Sequence, residues 1–166
     1  MTADDLALLR ADAGVRQLYA RYADAVWRAD RAAFEDCFAD DAVWKISGQV
    51  IEGRGACGAF FAKAIALSLR VTFWPGPPAL HVADGIVTGR LQATELIRRA
   101  DGGIRTLGIY YDRYVENGGI WRLSWHHFDM LYFGAPDLSD AMLDTPDYGP
   151  PPGMPGPDDP STVRRG

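Results

Sequence analysis

Three glycine turns divide the second half of the chain: Asp84-Gly85 in VADGIV, Asp101-Gly102-Gly103 in RADGGIR and Asn117-Gly118-Gly119 in VENGGIW. Such turns supply the positive φ angles that tight hairpins need. The runs between them are rich in Val, Ile, Thr, Tyr and Trp, so each turn joins two strands. Strands are expected at about 79–83, 86–99, 104–116 and 120–132, linked as an antiparallel meander. Strands of this length twist and coil, so the sheet must curl around something.

The first half supplies what it curls around. Val15, Leu18, Tyr19, Tyr22 and Val26 fall at offsets of 3, 4, 7 and 11, one face of a helix. Asp30 offers an N-cap for a short second helix with Phe34 and Phe38 four residues apart. DAVWKI, residues 41–46, reads as a strand. Gly53 and Gly55 precede a third helix, ACGAFFAKAIALSL, apolar on most sides. Helices first and sheet second define an α+β fold: a strongly curved antiparallel sheet wrapped on three N-terminal helices. FWPGPP, Phe73 to Pro78, cannot be a helix or a central strand, because its prolines lack backbone donors. Residues 1–138 are expected to form one domain. Residues 139–166, dense in Pro and Gly, form a tail that is mobile, laid over a pocket mouth or draped on a partner subunit.

Composition narrows the function. The chain of 166 residues is 48% hydrophobic and carries a net charge of −5 with no basic patch, which argues against nucleic-acid binding. No run of 18 apolar residues is present, and MTADDLALLR is acidic where a secretion signal is basic. Cys37 and Cys57 do not make a disulfide framework. A cytoplasmic protein without membrane attachment is expected. The absence of a glycine-rich loop after a strand, or of a His/Cys/carboxylate cluster, leaves no metal, nucleotide or flavin motif. Any chemistry is expected to be cofactor-free proton transfer and elimination.

LYARYADAVWRADRAAFEDCFADDAVW, VIEGRGACGAF and IYYDRYVENGGIWRLSWHHF together resemble the SnoaL-like group of the nuclear-transport-factor-2-like superfamily, over roughly residues 5–133. The resemblance implies a cone with a deep apolar pocket between sheet and helices, and a homodimer or higher homo-oligomer formed through the outer sheet face. It also implies activities ranging from dehydratases, dehydrochlorinases and isomerases to non-catalytic carriers and subunits. Lyases of this group pair an aspartate near the end of the first helix with a histidine after the third. Here those positions fall on Trp27 and Trp74. An indole has only a donor N–H and cannot act as a base. His81 is a displaced alternative to the histidine, but lies in a strand run.

The remaining candidates follow from residue type and strand alternation. Trp27, Trp44 and Trp74 are expected to clamp an aromatic ligand. Tyr22, where the resemblance places a functional tyrosine, and Tyr110 are expected to hold substrate oxygens. His126 and His127 point to opposite faces of one strand, His126 being the expected pocket acid or base and His127 its alternate. Asp112 shares a face with Tyr110 and is expected to bind substrate or orient a histidine. These residues indicate a lyase for a small hydrophobic, aromatic molecule, losing water or a carbonyl fragment such as formaldehyde. A small-ligand carrier or partner subunit, and an isomerase or polyketide cyclase, are the alternatives.

Overall fold

The computed structural model describes residues 2–163. Helix α1 (Ala3–Arg28) starts with a reciprocal cap between Thr2 and Asp5 and ends at Ala29 in the left-handed region. Its stripe of Val15, Leu18, Tyr19, Tyr22 and Val26 is buried. Helix α2 (Arg31–Glu35) is capped by the Asp30 carboxylate on the amide of Ala33, and helix α3 is Arg54–Ala66. Phe34 of α2 stacks on Phe61 of α3 with ring centres 4.0 Å apart, which fixes these helices together. No described helix is long and apolar enough to cross a membrane.

Seven strands follow: β1 (Phe38–Ile46), β2 (Gln49–Glu52), β3 (Arg70–Pro75), β4 (Ala79–Ala83), β5 (Ile86–Arg99), β6 (Gly102–Asn117) and β7 (Ile120–Gly134). They form one curved, unclosed sheet in the order β2-β1-β7-β6-β5-β3, with β4 also paired to β5. The meander expected from the glycine turns is present, and Asp84, Gly85, Gly118 and Gly119 all have positive φ. The sheet is mixed rather than wholly antiparallel, because β1 pairs with β7 in parallel. FWPGPP contributes the end of β3, an edge strand on which Pro75 is tolerated.

Two bulges in β7 decide which of its side chains face the helices. From the turn, Tyr114 pairs with Leu123, but Arg113 pairs with Trp125, so Ser124 is inserted. The Ser124 hydroxyl donates to the carbonyl of Arg113 at 3.1 Å and secures the insertion. Without it, Asp112 would oppose Trp125; with it, Asp112 opposes His126. The one-residue slip turns His126, Phe128 and Met130 inward and His127 and Asp129 outward. On β6 the inward row is Thr106, Gly108, Tyr110, Asp112 and Tyr114. A Cβ on Gly108 would lie 2.2 Å from the Phe128 ring and 2.7 Å from a backbone oxygen. Gly108→Ala is expected to cost about 1–3 kcal/mol by overpacking, read as a lower urea midpoint.

The tail lies on the outer sheet face, not over the pocket mouth. Lys45 donates to the carbonyls of Pro157 and Asp159, Arg90 donates to that of Gly149, and the Ser161 hydroxyl accepts from the amide of Gly48 at 2.9 Å. Asp129 accepts from both the amide and the hydroxyl of Thr162, at 3.1 and 2.9 Å. Tyr148 packs edge-on against Tyr111, with ring centres 5.0 Å apart. The face expected to meet a partner subunit is thus covered in this chain by its own residues. Losing the charged donor of Lys45 costs about 1.5–3 kcal/mol of local contact. Lys45→Ala is therefore expected to speed limited proteolysis within residues 139–163 by about tenfold or more, with cleavage sites located by mass spectrometry.

Candidate active site

Between the three helices and the inner sheet face lies a cavity of about 290 Å³, near the small end of ligand pockets. Rings form a large part of its walls: Tyr22 from α1, Phe34 from α2, Phe60 and Phe61 from α3, Trp44 from β1, and Phe128 and Phe133 from β7. The polar groups come mainly from β5 and β6, namely Glu95, Arg99, Thr106 and Tyr110.

Glu95 is the principal titratable group of this cavity. It continues the inward row of Leu91 and Ala93 on β5 and pairs across the ladder with Thr106. No described side chain hydrogen-bonds to it or neutralises it. Burial pushes its carboxyl up to about 7 from an ordinary 4.5. Its side chain is half-buried and lines the cavity. Tyr22 and Tyr110 face each other beside it. Burial is the largest cause holding both phenols well above their ordinary value, and the nearby Glu95 charge adds to it. A carboxyl balanced near neutrality between two protonated phenols can take up or release a proton and hold an oxygen in place.

Directly behind the cavity wall is a second polar unit. Asp112 and His126 oppose each other on β6 and β7, both 0% exposed, with His126 Nδ1 donating to Asp112 Oδ1 at 2.6 Å. The other carboxylate oxygen accepts from the hydroxyls of Tyr19 and Tyr114, the latter at 2.9 Å. The other ring nitrogen, Nε2, is buried with no hydrogen-bond partner among the described residues. His126 is stacked on Tyr110 at 4.0 Å and 4°, and is enclosed by Tyr22, Phe38 and Trp44. It therefore touches the cavity through the rings that line it, most closely that of Tyr110.

Of the residues expected from sequence, the structure brings Tyr22, Trp44 and Tyr110 into the cavity lining. His126 and Asp112 face inward but lie one layer behind it. Trp27 and Trp74 are corrections: each is 51% exposed and neither lines the cavity. The buried stripe of α1 ends on Tyr22 and Val26, which turns residue 27 about 100° away, and Arg70 covers its ring. On β3, Val71 and Phe73 are buried, so alternation sends Trp74 outward. His127 is a correction as well. It lies on the outer face, with Nε2 3.2 Å from Asp129 Oδ1. Burial acts to raise Asp129, but hydrogen bonds from His127 and Thr162 outweigh it and leave that carboxyl low. His81 sits on β4 opposite Thr88.

Glu95 and Arg99 were not among the expected site residues. Their signal was present in LQATELIRR, where Leu91, Ala93, Glu95, Ile97 and Arg99 share one parity, so that an acid and a base continue an apolar row.

The geometry and the sequence agree on a class, an α+β fold whose curved sheet and helices enclose an aromatic-lined pocket. The chain belongs to the SnoaL-like domain family, whose model matches residues 7–126. A scytalone dehydratase-like protein from Novosphingobium aromaticivorans superposes with a TM-score of 0.71 at 13% identity, over 85% of this chain and 99% of that one. The hexachlorocyclohexane dehydrochlorinase LinA-type3 from Novosphingobium barchaimii gives 0.69 at 20% identity, over 89% and 99%. A Mycobacterium tuberculosis protein of unknown function gives 0.66 at 24% identity, over 75% and 76%. No curated protein matches the chain in sequence. At these identities the structural likeness establishes the fold.

Proposed function

We propose that this protein is a cofactor-independent lyase acting on a small, largely apolar aromatic molecule. In a dehydration, the Glu95 carboxylate takes a proton from carbon. The C–H electron pair becomes the new C=C bond as the C–O bond breaks, and the departing hydroxyl, held by Tyr22 and Tyr110, takes that proton from the Glu95 carboxyl and leaves as water, which restores the base. In the carbon–carbon variant, Glu95 takes the proton of a hydroxyl, a carbonyl such as formaldehyde is expelled, and the resulting carbanion recovers the proton from Glu95. The phenols stabilise charge on oxygen in both cases, and the ring walls supply binding by apolar contact and exclude water.

The observation that carries this reading is a carboxyl near pH 7 without a neutralising partner, in an aromatic cavity. The family supports a lyase or isomerase type of role. Screening aromatic alcohols and diols for a new ultraviolet chromophore tests the reading, because elimination extends conjugation. A chromophore that forms with the native protein and not with Glu95→Gln supports it. Equal turnover by the two proteins sinks it. If the product keeps the elemental composition of the substrate, Glu95 is returning its proton at another carbon and the reaction is an isomerisation.

A further inference from the structure

Arg99 is the cation in the cavity lining that the proposed proton transfer does not use. It ends the inward row of β5 beside the Gly102 turn, four positions along the strand from Glu95. Its Nε is fully enclosed and has no acceptor, and no described carboxylate lies within ion-pair range of it. A guanidinium stays charged at all working pH values and presents a planar fork of donors. Leaving it half-buried without a counterion costs free energy that an incoming anion would offset. Glu95 is not that counterion. Burial alone sets its carboxyl, and the two lie four positions apart on the strand, roughly 13 Å between Cα atoms.

We infer that Arg99 is an anion hook that selects substrates carrying a carboxylate, with the acidic group and the reacting centre at opposite ends of the molecule. This rests on the lyase reading for the reacting end, but binding at the Arg99 end is measurable without turnover. The spacing of four residues along β5 favours an acidic group set apart from the proton that Glu95 removes. It fits a single aromatic ring with its carboxylate on a short side chain or at the far ring position. Ile97, between the two charged residues on the same face, gives the intervening surface its apolar character.

Phenylbutanoate, phenylbutanamide and phenylbutylammonium are the probes, each titrated calorimetrically against the native protein, Arg99→Gln and Arg99→Lys, with thermal unfolding confirming that each variant is folded. A charge-assisted contact is expected to make the carboxylate bind about tenfold or more tightly than the amide, and the ammonium weakest. Arg99→Gln removes that preference, Arg99→Lys restores part of it, and added salt weakens the carboxylate selectively. No measurable carboxylate binding, equal binding of acid and amide, or a preference that survives Arg99→Gln each overturns the hook. The two ideas fail separately. A carboxylate preference without Glu95-dependent turnover removes the lyase and leaves the hook; Glu95-dependent turnover without the preference does the reverse.

Discussion

Glu95→Gln is expected to lower proton-transfer turnover by about 10²–10⁴-fold while making the folded protein more stable above pH 7. Both effects have one cause. The carboxyl is held in a ring-lined cavity that disfavours its charge, so its folded value is about 7 against an ordinary 4.5. Between those values the folded chain keeps a proton that the unfolded chain gives up. The stability contributed by this group is therefore complete below about pH 4.5 and is lost as pH rises through about 7. The difference amounts to up to about 3 kcal/mol, at roughly 1.4 kcal/mol per pH unit. Glutamine cannot ionise, so the variant should lose this pH dependence, a result that urea midpoints at pH 5 and pH 8.5 would check. Activity should run the opposite way in the native protein, with kcat/KM rising through about pH 7 as the base loses its proton. Nitrobenzisoxazole, whose ring opens when a base removes one proton, offers a coloured readout before any natural substrate is known. Loss of that reaction in Glu95→Gln with no change in stability at pH 8.5 would leave Glu95 as a base whose charge is not disfavoured by its burial.

The fold was largely legible because its signals are local. Paired turn residues at 84–85 and 118–119 need positive φ, and they bound strands close to those expected. The stripe on α1 shares its period with the helix, and all five of its residues are buried. The site was less legible because it depends on long-range register. Counting back from the Asn117 turn without an insertion places Trp125 opposite Asp112, and nothing local in SWHHF announces the bulge at Ser124 that puts His126 there instead. Trp27 and Trp74 show the complementary error: family positions pointed into the pocket, whereas the periodicity of their own elements points out of it. Glu95 needed only alternation along β5, but a lone carboxylate in LQATEL looks like a solvated strand position until the opposite wall is known to be rings.

Asp112→Ala is expected to destabilise the fold more than Gly108→Ala or Lys45→Ala, by about 3–5 kcal/mol. Asp112 is the single acceptor for three buried donors: the hydroxyls of Tyr19 and Tyr114, and Nδ1 of His126. Burial holds both of these phenols well above their ordinary value, and the Asp112 charge holds them higher still, so they remain donors. Removing the carboxylate leaves all three donors facing a void in a region that excludes water, which is why the loss exceeds that of one hydrogen bond. Against a typical stability of about 5–15 kcal/mol, this is about a fifth of the total or more. Asp112→Asn keeps an acceptor oxygen in nearly the same volume and should lose less, about 1–3 kcal/mol. It is the better variant for function, because its amide can turn a donor toward His126 Nδ1 and move the ring proton to Nε2. The imidazole, stacked on Tyr110 at 4.0 Å, would then be held there by a neutral hydrogen bond in place of a charge-assisted one. Turnover should fall in Asp112→Asn beyond what its stability loss explains, with kcat affected more than KM, and the imidazole proton resonance should move from Nδ1 to Nε2. A variant that keeps full turnover after that tautomer change would show that the Asp112–His126 pair holds the sheet together without setting the position of Tyr110.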